Sequence, residues 1–292
     1  MKKWFKDHIS MIGLTVILLL GLGFLAYPSV SDYWNSFHQS QVILDYSKEI
    51  ADMDKEDYSG ILESAKAYNA TQPLNWLISE EDKEAYNREL QFNPQGVMGY
   101  ITIPKIDVKL SIFHGTDESI LQTSIGHLEG TSLPVGGENT HSVLSGHRGL
   151  PSARLFSDLD KLREGDRFTL HILDETLTYE VDQIRVVEPT DLSSIVIEDG
   201  QDLCTLVTCT PYGVNTHRLL VRGHRVENTD GLARVTANAI QIKPIVIAPF
   251  LALPLLMTMV IYVFLSTRES AQQRRQRALQ ELQVAVAFGK TN

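Results

Sequence analysis

LCTLVTCTPYGVNTHRLLVRGHRV, residues 203–226, sets two apolar runs, LCTLVTC and HRLLVRGHRV, on either side of the turn formers TPYGVNT. Short runs rich in Val, Leu and Thr, bounded by Pro, Gly and Asn, read as strands. The connection is short enough for a hairpin. Working outward, the same texture recurs in YITIP (100–104), VKLSIF (108–113), HSVLSG (141–146), RFTLHIL (167–173) and LTYEVDQIRVV (177–187). Many short strands with little helix between them indicate a mainly-β, closed or nearly closed barrel over residues 96–230, which is ample chain for one core.

The run that opens this reading also holds both cysteines of the chain, Cys204 and Cys209. At about 3.3 Å per residue, their Cα atoms on one strand lie roughly 16 Å apart, beyond the ~7 Å reach of a disulfide. Their odd separation points them to opposite faces. Both are therefore expected as free thiols. Cys204, inside the apolar run, reads as a small buried hydrophobe. Cys209 ends the run beside the turn, where a side chain can meet solvent and substrate.

A thiol needs a base or cation to act as a nucleophile near neutral pH, and histidine is the usual partner. His147, in LSGHRGLP, follows the run HSVLS and so stands at a strand end among glycines. Acyl transfer also needs a donor for the developing oxyanion. Arg218 starts the strand after Cys209, where a hairpin can bring its guanidinium beside the thiol. His141 and His217 read as structural, because neighbours on a strand face opposite sides. The acidic stretch DETLTYEVD (174–182) reads as a solvated strand edge rather than a cation site.

The 292 residues are 43% hydrophobic and 21% charged with a net charge of −10, which excludes collagen, a disordered tail and a disulfide miniprotein. The acidic balance argues against a nucleic-acid partner. The apolar content is concentrated at the ends. Residues 9–31 and 244–267 carry no charge and are each long enough to cross a bilayer. Lys2, Lys3 and Lys6 precede the first, and Arg268, Arg274, Arg275 and Arg277 follow the second. The positive-inside bias makes residues 1–8 and 267–292 cytoplasmic and the chain between the spans external. A cleaved signal peptide is the alternative for the first span, but no small-x-small site follows it, which favours an uncleaved anchor. The exported segment then carries −15, which leaves no basic patch for a polynucleotide.

Residues 32–95 read as a polar helical leader in which Tyr58, Ile61, Leu62, Ala65 and Tyr68 recur at helix spacing. The segment NATQPLNWL (69–77) interrupts it with a helix-breaking Pro73 and a large aromatic, Trp76. Two arrangements fit: a helical hairpin with Trp76 in its own core, or a flap whose aromatic covers a site on the next domain.

TLVTCTPYGVNTHRLLVRG (205–223) resembles the sortase signature, TLxTC followed by an Arg about nine residues on, and SGHRG (145–149) resembles the segment carrying the sortase histidine. The longer string GHLEGTSLPVGGENTHSVLSGHRGLPSARLFSDLDKLREGD (126–166), the helical leader and the two anchors are similar to the class C, pilus-assembling sortases of Gram-positive bacteria. This resemblance covers residues 32–266. It implies an eight-stranded sortase-type β-barrel with short helices and a site of Cys209, His147 and Arg218. It also implies a membrane-held cysteine transpeptidase. The Cys209 thiolate would cut an LPxTG-like sorting signal between Thr and Gly, and an acceptor lysine of the next pilin would resolve the thioacyl enzyme as an isopeptide. That chemistry requires no metal or organic cofactor.

By the same resemblance, the partners are pilins carrying such signals and the lipid bilayer, and the catalytic domain faces the cell wall from the membrane. The layout expected is an anchor at 9–31, a leader at 32–95 with a lid around 69–77, a barrel at 96–230, a linker at 231–244, a second span at 245–266 and a basic tail at 267–292. One departure stands out. Class C leaders usually carry an Asp-Pro-aromatic lid motif, and this chain has NATQPLNWL in roughly that place, with Trp76 as the candidate lid aromatic and no aspartate before Pro73. The implied lid is looser or differently latched. The competing functions are a housekeeping sortase that attaches proteins to peptidoglycan, against which the second anchor and long leader argue, and a non-catalytic adhesin that kept the barrel.

Overall fold

In the computed structural model of the protein, the described residues are 2–228 apart from 73 and 94, with 257, 258, 261, 276 and 278–284. Three helices come first: α1 (Lys2–Asp52), α2 (Lys55–Thr71) and α3 (Glu80–Arg88). Eight strands follow: β1 (Val97–Ile103), β2 (Val108–His114), β3 (Ile125–His127), β4 (Thr140–Gly146), β5 (Arg167–Ile172), β6 (Glu175–Val187), β7 (Asp202–Thr210) and β8 (His217–Val226). A one-turn helix α4 (Glu118–Leu121) lies between β2 and β3.

The strands close into a barrel in the order β1-β2-β3-β4-β7-β8-β6-β5, with β5 hydrogen-bonded back to β1. Two neighbouring pairs are parallel, β2 with β3 and β4 with β7, and the remaining pairs are antiparallel. Closure leaves no exposed edge along which another chain could add. Alternation along each strand fills the interior: on β7, Cys204 and Leu206 are fully buried, and they join Phe168, Leu170 and Val221 in the core. The seven strands expected from sequence are all present. The eighth, β3, is only three residues long.

Helix α1 is continuous from Lys2 to Asp52 and keeps Pro28 inside it, so the apolar stretch and the start of the leader are one helix without a break at residue 31. Residues 13–52 include a window apolar enough to cross a membrane, and none of that window is buried. The expected second span (245–266) and the basic tail (267–292) lie outside the described residues, apart from short helical pieces at 257–258, 261, 276 and 278–284. The linker 231–244 lies wholly outside them.

The leader has no separate core; its buried residues pack on the barrel. Tyr46 of α1 donates to Met98 O (3.0 Å) and accepts from Leu173 N (2.7 Å). Gln39 accepts from Ser111 N and donates to Thr123 O. From α2, Asn69 donates to Leu133 O and accepts from Leu133 N, as a backbone neighbour would. Helix α3 starts on a capping box, Ser79 with Asp82, and carries Glu80, Glu81 and Asp82 in its first turn, where acids suit the helix dipole. Its one buried residue, Tyr86, stacks on His127 of β3 at 5.6 Å, bonds His127 Nδ1 at 2.9 Å and accepts from Gly115 N. Leu62 and Ala65 of α2 and Tyr86 of α3 thus belong to the same core as the barrel strands.

Candidate active site

The site is set by the register of three adjacent strands. In the antiparallel β7–β8 pair, Cys209 stands directly opposite Arg218. Side chains of such a pair share a face. In the parallel β4–β7 pair the register runs as far as Ser145 opposite Val207, and β4 ends at Gly146, so His147 leaves the strand just short of the level of Cys209. The ladder is held together at this point by Thr208 Oγ1, which donates to Gly146 O at 2.7 Å. Beyond the end of β4, the side chain of Arg148 still reaches β7, with Nη1 donating to Thr210 Oγ1 at 3.4 Å. With strands about 4.8 Å apart, Cys209 and Arg218 are rung neighbours, and the chain leaving β4 carries His147 on the far side of β7 from Arg218, so the three residues lie in a row across the ends of β4, β7 and β8.

This row lies on the outer face of the barrel. Cys204, Leu206 and Thr208 point inward and are buried, whereas Cys209 is half-exposed. Both cysteines are free, as their spacing requires. Burial raises the Cys204 thiol well above its usual range, with the Asp202 carboxylate adding to the shift, so it stays protonated and inert.

His147 is held from two sides. Its backbone carbonyl accepts from Phe156 N at 3.1 Å, and its Nε2 lies 3.2 Å from Glu118 Oε2 and 3.3 Å from Oε1. A carboxylate at Nε2 selects the tautomer with hydrogen there and leaves Nδ1 free for proton exchange. Glu118 is itself oriented by Gln122, and its two partners hold its carboxyl below the ordinary range. The Arg218 guanidinium donates to the carbonyls of His217 (3.2 Å) and Asn215 (3.5 Å), at the turn after Cys209.

Two further histidines, His141 and His217, are engaged by other protein groups. His141 is buried with Nδ1 donating to Val196 O (2.6 Å) and Nε2 accepting from Thr205 Oγ1 (2.7 Å), so neither nitrogen is left for catalysis. His217 faces Glu188 at 3.4 Å. No group of three or more His, Cys, Asp or Glu capable of holding a metal occurs among the described residues.

The segment joining α2 to α3 is fixed to the barrel by Asn75 N donating to Gly130 O at 2.9 Å. Gly130 sits at φ +83°, and a Cβ there would run into Asn75 O, so no other residue allows this contact. Trp76 is 39% exposed and Leu77 is 91% exposed. Among the described residues Trp76 makes no hydrogen bond to Cys209, His147 or Arg218.

The Sortase domain family matches residues 101–226, which include all three residues of the row. Sortase D of Bacillus subtilis (strain 168) is 33% identical over 162 residues, 54% of this chain and 79% of that protein. This chain belongs to the sortase family. Sortases are cysteine transpeptidases, and class C sortases are among the solved structures it resembles: sortase C1 from Streptococcus agalactiae is 58% identical with a TM-score of 0.63, over 65% of this chain and 100% of that one. Sortase C of Streptococcus pneumoniae is 46% identical with a TM-score of 0.58, over 65% of this chain and 98% of that one.

Two residues of this sortase site, Glu118 and Arg148, were not singled out from sequence. Glu118 is 29 positions from His147 and gives no local signal. Arg148 could have been noticed as the second cation of GHRG.

Proposed function

We propose that this sortase is a membrane-anchored pilin polymerase in which Cys209 is the nucleophile, His147 the proton-transfer group and Arg218 the oxyanion donor. The Cys209 thiolate adds to the threonine carbonyl of an LPxTG-like signal, and the Arg218 guanidinium faces the resulting oxyanion. The C–N bond then breaks as His147 protonates the departing glycine amine, which leaves a thioester on Cys209. The ε-amine of an acceptor lysine on the next pilin adds to that thioester and gives up its proton to His147. Cys209 leaves as the thiolate, and the product is an isopeptide.

What carries this reading is the rung pairing of Cys209 with Arg218, one strand away from the end of β4 that presents His147. The pilin substrate is supported by the likeness to sortase C of Streptococcus pneumoniae, whose structure is described in terms of pilin substrate specificity. The exposed apolar face of α1, with Phe24 and Leu25 about 80% exposed, supports an anchor at 9–31. The external position of the barrel, the second span at 245–266 and the cytoplasmic termini follow from the charge pattern of the sequence. In the same reading, residues 69–77 form the lid and Trp76 is its aromatic.

The decisive experiment is expression of the full chain with its pilins. Cys209→Ala abolishes high-molecular-weight pilin ladders if the reading is right, and persistence of the ladders refutes it. For the lid, hydrolysis of a sorting-signal peptide by Trp76→Ala is faster than by wild type; equal rates mean that Trp76 is not a gate.

A further inference from the structure

We infer that Arg148 is a positioning residue for this reaction: it directly follows His147, bonds the residue after Cys209 and clamps together the two chain ends that carry them. This rests on the proposed roles of His147 and Cys209. Arg148 follows His147 past the end of β4, and its Nη1 donates to Oγ1 of Thr210, the residue after Cys209, at 3.4 Å. The guanidinium carbon lies 5.6 Å from the centre of the Tyr212 ring. The same ring packs on the bare face of Gly149, where a Cβ would lie 3.4 Å from ring carbon Cζ. On its other side, Arg148 Nη2 pairs with Asp160 Oδ2 at 2.5 Å. One side chain thus joins the loop after His147, the turn after Cys209 and the 3₁₀ turn Leu159–Lys161.

Stability does not explain its presence. The side chain is 8% exposed, and its Nε is buried with no hydrogen-bond acceptor among the described residues. A buried donor left unpaired is a standing penalty. Its ion-pair partner Asp160 is nearly half exposed, so removing the charge would not strand a buried carboxylate. An apolar side chain of similar length would fill the same space without the unpaired donor. A guanidinium is favoured here because its planar fork meets an aromatic face, a carboxylate and a hydroxyl together, which an ammonium cannot do. Holding Cys209 and His147 at fixed separation matters because a misplacement of about 1 Å between reacting groups can lower a rate about a hundredfold.

The test is steady-state kinetics of the detergent-solubilised full chain on a sorting-signal peptide with a primary amine acceptor, alongside thermal melting. Arg148→Met is expected to melt within a few degrees of wild type, to keep KM within about twofold and to lose roughly 10- to 100-fold in kcat. Arg148→Lys is expected to recover less than half of that loss. A kcat for Arg148→Met equal to wild type overturns the inference. Should Arg148→Met fail to fold, Tyr212→Ala decides: it removes the aromatic side of the clamp and is expected to lower kcat several-fold at unchanged KM, whereas an unchanged kcat overturns the inference. Wild type and Cys209→Ala run in parallel. An inactive wild type, or an active Cys209→Ala, contradicts the proposed function itself rather than the role of Arg148.

Discussion

Leu206 and Cys209 lie three residues apart on β7 and face opposite ways. The inward face of β4, β7 and β8 carries Leu144, Leu206 and Val221, all without measurable exposure, and packs as a jigsaw. Beyond the barrel's packed middle, the outward face ends in Cys209 and Arg218, placed opposite one another by rung pairing, with His147 on the chain leaving β4 beside them. The lesson is a division of labour by parity: one backbone supplies rigidity with alternate residues and chemistry with the others. The placement of the row therefore depends on register, and a one-residue slip would bury the thiol.

That division can be broken from either side. On the outer face, Arg218→Ala is expected to lower kcat for peptide cleavage by about 10²–10³-fold at unchanged melting temperature, as for loss of an oxyanion donor. A loss of less than tenfold would remove Arg218 from that role. On the inner face, Leu206→Ala is expected to destabilise the barrel by about 2–5 kcal/mol in chemical denaturation, while activity per folded molecule changes little. Comparable damage to kcat would show that the two faces are not separable.

The junction of leader and barrel responds to acid. Burial lowers the His127 pKa to about 4, so the folded chain keeps this ring neutral where an unfolded chain, near 6.5, would already bind a proton. Its contribution to stability is complete above pH 6.5 and is lost as the pH falls toward 4. Chemical denaturation between these limits should show a downward slope that His127→Gln makes shallower; an unchanged slope would assign acid sensitivity elsewhere, for example to His171, whose pKa burial also lowers to about 4. The smallest effect is expected at Glu118. As an exposed partner of His147 its interaction is screened by solvent, so Glu118→Gln should reduce kcat by roughly fivefold at most. A hundredfold loss would make it part of the catalytic machinery.

Much of this was legible in the sequence because the relevant signals are local. Strand runs, the turn after Cys209 and the odd separation of the cysteines can all be read within a few residues. Strand β3 was not, since Ile-Gly-His offers no alternation to detect. The docking of the leader was not either: Tyr86 sits in EEDKEAYNR, a helix polar nearly all round, and only the fold shows that its one aromatic enters the barrel wall. Glu118 and Arg148 owe their places to contacts made by closure of the barrel, across 29 and 62 positions of chain. Residues joined over such distances leave no pattern in a single sequence.

The row's central claim is that Cys209, and not Cys204, carries the acyl group. Incubating the full chain with a sorting-signal peptide, quenching in acid and locating the adduct by fragment-ion mass spectrometry tests it directly. The prediction is a thioester on Cys209 that survives Cys204→Ala and disappears in Cys209→Ala. An adduct on Cys204, or one that persists in Cys209→Ala, would contradict it.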